Sequence, residues 1–140
     1  MDREFTDSLL HTVRTTAGSD HQTLLHEVYA SVIQGNFDAL ADAVTDDVEL
    51  NICGFEPLHG NWRGRKDVIE ATRNNFAMVA NQQPVIESII SQGDCVGVLL
   101  RESGVFKSTG QRYSIRAVQW FIFLDGKIKR IDQIVANATS

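Results

Sequence analysis

Cysteine is scarce in this chain of 140 residues, and the two that occur, Cys53 and Cys95, lie 42 positions apart and form no CxxC pair. That spacing excludes a zinc finger or a disulfide framework and predicts two reduced thiols in a cytoplasmic protein. Positive charge is in deficit too: 13 Lys and Arg face 18 Asp and Glu, for a net charge of −5. An acidic chain has no field to draw in phosphate backbones, so nucleic acid is not an expected partner. No apolar stretch approaches the roughly 18 residues needed to span a bilayer. The longest, residues 118–124, is broken by Gln119. The first twenty residues carry acids beside the initial Met and no signal-like apolar core, so neither export nor a membrane partner is expected. Internal repeats and low-complexity segments are missing as well.

What is present suits one domain, with 43% hydrophobic residues to build its interior. Phe5, Leu9, Leu10 and Val13 recur at helical spacing and predict a leading helix. Ser19 and Gln22 form a capping box that starts the next helix, whose apolar stripe is Leu25, Val28, Tyr29 and Val32 and whose stop is Gly35-Asn36. A short helix is expected over 37–44. Alternation of Val48, Leu50 and Ile52 with Glu49, Asn51 and Cys53 then makes a half-buried strand. A loop over 54–64 leads to a third helix over 65–80, closed off by Pro84. Four strands follow, near 85–92, 95–107, 112–124 and 127–135, as an antiparallel meander. Helices first and hairpins last describe an α+β domain whose sheet curls around its helices.

If Asp125-Gly126 is a two-residue hairpin, Gln119 falls across from Gln133. A similar turn at Thr109-Gly110 sets Glu102 opposite Ala117, one diagonal step from Gln119 on the same face. That face also holds Tyr113, Ile115, Phe121 and Phe123, the composition of a buried surface. A few polar groups converging on an apolar concave wall make a small-molecule site. The alternative is that Gln119 and Gln133 satisfy each other in a filled core while Glu102 reaches water.

Four stretches carry a resemblance to a known family. They are Gln34-Gly35-Asn36-Phe37-Asp38, Thr45-Asp46-Asp47-Val48-Glu49, the run from His59-Gly60-Asn61-Trp62 to Arg65, and the hairpin Trp120-Phe121-Ile122-Phe123-Leu124-Asp125-Gly126. In order and spacing the chain resembles the nuclear transport factor 2-like superfamily, in its SnoaL-like and ketosteroid-isomerase-like branch, over about residues 20–135. The resemblance implies a cone-shaped α+β roll of the cystatin-like kind, a strongly curved mixed or antiparallel sheet wrapped around three helices. The domain would span 19–136, with an N-terminal extension over 1–18 and a disordered tail at 137–140.

Carried over position by position, the ketosteroid isomerase base falls on Ile52. The oxyanion-hole tyrosine falls on Val28, with Tyr29 one residue away and turned by about 100°. The protonated acid of that hole falls on Gln119, so the isomerase catalytic set is not retained. Of the epoxide-hydrolase-like triad only Glu102 survives. Leu100 and Gln133 hold the other two places, and Arg101 and Asp132, one residue out of register, face away. Among cyclase-like members a lone acid acts as base, a role open to Glu102. Whether the chain is an enzyme is left open. Either the cone binds a small, mostly apolar molecule, with or without weak acid-base activity of an isomerase, cyclase or hydrolase kind and without a cofactor, or it is plugged and serves as an interaction module. The ligand would be oriented by Gln119 and Gln133 and walled by Tyr29, Trp62, Phe76, Tyr113 and Phe121, with Glu102 as the catalytic candidate.

On the opposite face, Arg116, Val118 and Trp120 are expected to meet a second copy in a homodimer, the alternative being that the N-terminal extension folds back to cover them. His11, His21 and His26 have no partners at ligand spacing, so no metal is expected. Arg63, Arg65 and Lys66 at the head of the third helix admit a phosphate or, more simply, a solvated cluster. His59 and Trp62 suit either a lid or plain packing under the loop.

Overall fold

The computed structural model describes residues 20–137. The expected leading helix at 5–13, the Ser19 half of the capping box and the tail at 138–140 lie outside the described residues. In chain order the elements are α1 (Asp20–Ile33), α2 (Asp38–Ala43), β1 (Val44–Cys53), a 3-10 turn (Glu56–Leu58), β2 (Gly60–Arg63), α3 (Arg65–Ala77), β3 (Val79–Gln92), β4 (Cys95–Phe106), β5 (Arg112–Leu124) and β6 (Lys127–Asn137).

The six strands form one curved, unclosed sheet in the order β2-β1-β6-β5-β4-β3. β1 runs parallel to β6 and every other pair is antiparallel, so the sheet is mixed. α1 turns Leu25 and Val28 inward and ends at Gly35, whose φ of 82° is the left-handed stop that Gly tolerates. α3 buries Val68 and Ala71. Both helices pack on the inner face of the sheet, where Val48, Val96, Val98 and Ile128 are fully buried, and the core lies between these layers. Arg65 secures the junction of α2 and β1. Its guanidinium donates to the carbonyls of Ala41 at 3.1 Å and Val44 at 2.9 Å, groups a helix end leaves without partners, and pairs with Asp46 at 2.6 Å.

Three expectations are corrected here. The stretch 54–64 is not all loop: β2 pairs with β1, setting Trp62 across from Leu50. α3 stops at Ala77 and not near 80, because the Met78 carbonyl accepts from Lys107 in the β4–β5 connection and pulls the chain into β3. β3 therefore begins at Val79 and runs through Pro84. Proline is tolerated there because β3 is an edge strand with no neighbour demanding its N–H. Register shifts at 80–83 and 86–88 bend this strand, which helps the sheet curl.

Gly54 ties the end of β1 to β6. It has a φ of 94°, and a Cβ placed on it would come within 2.1 Å of the Val135 carbonyl oxygen. Gly54→Ala should therefore destabilise the protein by at least about 2 kcal/mol, combining left-handed strain with a backbone clash. Gly110→Ala, at a φ of 72° with open space around it, should cost about 1 kcal/mol. Urea unfolding of both variants measures the difference, and equal losses would contradict the close approach.

Candidate functional site

Alternation along the strands decides which side chains meet over the inner face. β5 sends Tyr113, Ile115, Gln119 and Phe121 inward, β6 sends Ile131 and Gln133, and β1 sends Leu50 and Ile52. Gln119 pairs directly with Gln133, because a register shift between Ile122 and Phe123 moves β6 on by one residue from the pairing that the Asp125-Gly126 turn sets. Glu102 does not sit opposite Ala117; it pairs with Ile115, while Val98 faces Gln119. The cause is the β4–β5 connection, which closes over the five residues after Phe106, with the Phe106 amide donating to Gln111. A two-residue turn at Thr109-Gly110 would have given a tighter register. The shift is even, so Glu102 keeps its face but stands four residues along β5 from the amide pair, roughly 13 Å of strand.

Two polar stations result instead of one. In the first, the Tyr29 hydroxyl donates to Oε1 of Gln119, and Nε2 of Gln119 donates to Oε1 of Gln133 at 3.1 Å. Tyr29 reaches this amide although its register places it one residue beyond the position that the oxyanion-hole comparison selects. Its ring meets Phe121 edge to face at 6.2 Å, which fixes the direction of the hydroxyl. Burial drives the Tyr29 phenol far above its ordinary value, so it stays a neutral donor. The chain ends on Nε2 of Gln133, whose protons find no acceptor among the described side chains.

In the second station, Oε2 of Glu102 accepts from the Tyr113 hydroxyl at 2.5 Å and from Nε2 of Gln82 at 3.4 Å. Burial first, and then the adjacent Glu102 carboxylate, raise the Tyr113 phenol strongly.

Between and around the stations lies a cavity of about 220 Å³, well beyond the roughly 30 Å³ occupied by one water. Of the residues singled out from sequence, Tyr29, Phe76, Glu102, Tyr113, Gln119, Phe121 and Gln133 line it. Trp62 does not: it lies on β2, half-buried against the core, with its ring over Gly60. Sequence reasoning missed Gln82, Phe55 and Phe106 on the wall. Gln82 was hidden because β3 was not expected before Pro84; its signal was the alternation on the far side of that proline. Arg101 and Asp132 face outward, bound to Glu87 and to Arg130 and Asn51. Arg65 is occupied by α2 and Asp46, and Arg63 pairs with Glu49, so these two cations form no phosphate cradle.

Cys53 is exposed and Cys95 half-buried. His21 stacks on Phe123 and meets Asp94 at 3.2 Å, and no cluster of metal ligands occurs among the described residues. On the outer face Val118 is 41% and Trp120 38% exposed, with Arg116 beside Glu87 at 3.2 Å. No helix among the described residues is long and apolar enough to cross a membrane.

A family model described as a SnoaL-like domain matches residues 25–131. Among solved structures, an NTF2-like protein of unknown function from Burkholderia pseudomallei superposes with a TM-score of 0.73 at 19% identity, covering 82% of this chain and 89% of the other. A candidate SnoaL-like polyketide cyclase from a Jannaschia species gives 0.71 at 16% identity, over 83% and 85%. AclR, a candidate hydroxylase from Streptomyces galilaeus, gives 0.68 at 17% identity, over 85% and 80%. At such identities the likeness is one of fold. No curated protein matches the chain in sequence.

Tyr29 and Tyr113 are the only two tyrosines, and both are raised above the ordinary value of 10.0. Above that pH the unfolded chain loses phenol protons that the native state keeps, so stability should fall as pH rises, by up to about 1.4 kcal/mol per pH unit for each tyrosine. Phenolate absorbance should therefore stay flat through the usual tyrosine range and appear only with unfolding followed by circular dichroism. A phenolate signal rising near pH 10 in folded protein would contradict the burial of both hydroxyls.

Proposed function

The chain belongs to the SnoaL-like domain family of the nuclear transport factor 2-like superfamily, and from that membership we propose that its cone binds a small, mostly apolar molecule and orients it by a carbonyl or hydroxyl oxygen. The observation that carries this reading is the unspent donor at the end of the Tyr29–Gln119–Gln133 chain. That donor faces the cavity, where a ligand oxygen can accept from it in place of water. Tyr29 fixes which way the Gln119 amide faces and Gln119 fixes Gln133, so the donor is aimed before a ligand arrives. Leu50, Ile86, Leu100, Ile115 and Ile131 supply the apolar contact. A cavity of about 220 Å³ speaks against a cone plugged by its own side chains.

The arrangement favours binding over the isomerase reaction. Ile52 stands on the wall where that reaction needs a base, and Glu102 is the only carboxylate among the described lining residues, far from the amide station. The names of neighbours of similar fold, a candidate polyketide cyclase and a candidate hydroxylase, agree with a cone that handles organic molecules.

The same proposal extends to assembly: a second copy covers the outer face. Val118, Trp120 and Ile134 form an exposed apolar band there, with Trp120 lying over Gly97, its cross-strand neighbour. Charges of both signs flank it, Glu87 with Arg101 and Arg116 on one side and Asp132 with Arg130 on the other. A two-fold axis can therefore match each sign to its opposite.

A matched pair of two-ring probes tests the pocket. α-Tetralone should bind several-fold tighter than tetralin by calorimetry, and Gln133→Leu should erase the difference, a loss of about 0.5–1.5 kcal/mol. Equal binding of the two probes to the native protein would sink the oriented-oxygen reading. Assembly is tested by sedimentation equilibrium: the native chain should sediment as a dimer and Trp120→Glu as a monomer with an unchanged circular dichroism spectrum. A monomeric native protein would end the claim.

A further inference from the structure

The second station calls for a different group on the ligand. Among the described residues, Glu102 is the only charged one lining the cavity, and no described Lys, Arg or His shares that wall. Its Oε2 accepts two hydrogen bonds, from Tyr113 at 2.5 Å and Gln82 at 3.4 Å. No described side chain donates to Oε1. A carboxylate on an apolar wall without a counter-charge attracts a cation there more than a neutral or anionic group.

Aromatic rings stand beside it. Phe106 lies 5.0 Å from Tyr113 and 6.0 Å from Phe55, centroid to centroid, so three rings make one continuous wall next to the acid. Rings with a carboxylate among them attract ammonium groups, through the ring quadrupole and through direct charge. A chain with net charge −5 also favours the approach of a cation over that of an anion.

The geometry points to an amine cation as the second recognition element: the cone takes an apolar molecule that carries a protonated amine, or a quaternary ammonium, at Glu102, Tyr113 and Phe106. This rests on the reading of the cone as a ligand pocket and adds the ligand's charge to it. The oxygen acceptor sits at Gln133 and the cation about 13 Å of strand away, so the ligand is elongated and differs at its two ends. No bond is made or broken in this step; the amine arrives protonated and stays so.

Three probes of one chain length separate the terms: octylamine, octanol and octanoate, titrated calorimetrically at neutral pH and low salt. Octylamine should bind the native protein at least about tenfold tighter than octanol, with octanoate weakest. Glu102→Gln should bring octylamine down to the affinity of octanol. Ile115→Trp, which fills the cavity, should remove binding of all three and so exclude adsorption on the surface. Octanol binding as well as octylamine overturns the cation assignment and leaves the pocket standing. Failure of every octyl compound to bind the native protein overturns both. An amine preference that survives Glu102→Gln overturns the assignment to this carboxylate.

Discussion

A short chain of hydrogen bonds across the cone, from the Tyr29 hydroxyl to Gln119 and on to Gln133, is the constraint around which the site is arranged. Each group comes from a different element, α1, β5 and β6, so the chain exists only when helix and sheet are both in place. In an apolar interior such a chain is worth keeping only if each member is satisfied, and an amide has more hydrogen-bonding capacity than two neighbours can fill. The surplus falls on Nε2 of Gln133 at the cavity wall. What would be a defect in a filled core becomes a fixed donor in an open one.

The sheet makes that openness possible. Its parallel β1–β6 pairing brings Leu50 and Ile52 beside Ile131 and Gln133, and the bends in β3 carry Pro84 and Ile86 round to the far side of the space. α1 and α3 cover the opening with Val28, Val32, Thr72 and Phe76. Phe76 is held by Phe37, edge to face at 5.8 Å, so α3 is held against the connection between α1 and α2 at that wall. Curvature leaves more interior than the side chains fill, and the two polar stations occupy different parts of what remains.

Much of this was legible in the sequence because its signals are short-range. The Asp125-Gly126 turn brings β5 and β6 together, and the shift between Ile122 and Phe123 selects Gln133 over Asp132 as the partner of Gln119. The helix stop at Gly35 and the outward aim of Arg101 and Asp132 follow from equally local rules. Glu102 was placed on the right face and in the wrong row, since a five-residue connection changes register by an even step that alternation cannot detect. Trp62 was drawn toward the pocket by its place in a loop, whereas its cross-strand partner on β1, 12 residues earlier in sequence, claims it. The strand through Pro84 was illegible for a similar reason: only tertiary position tells an edge strand from a central one.

The central claim is that Gln119 is a held amide and Gln133 an aimed, unspent one. Side-chain amide signals of the two glutamines in nitrogen-labelled protein, observed by NMR with and without α-tetralone, test it most directly. The account predicts slow solvent exchange for Gln119 and a ligand-induced shift at Gln133. Surface-like exchange at both amides, with neither signal moving on addition of the ketone, would contradict it.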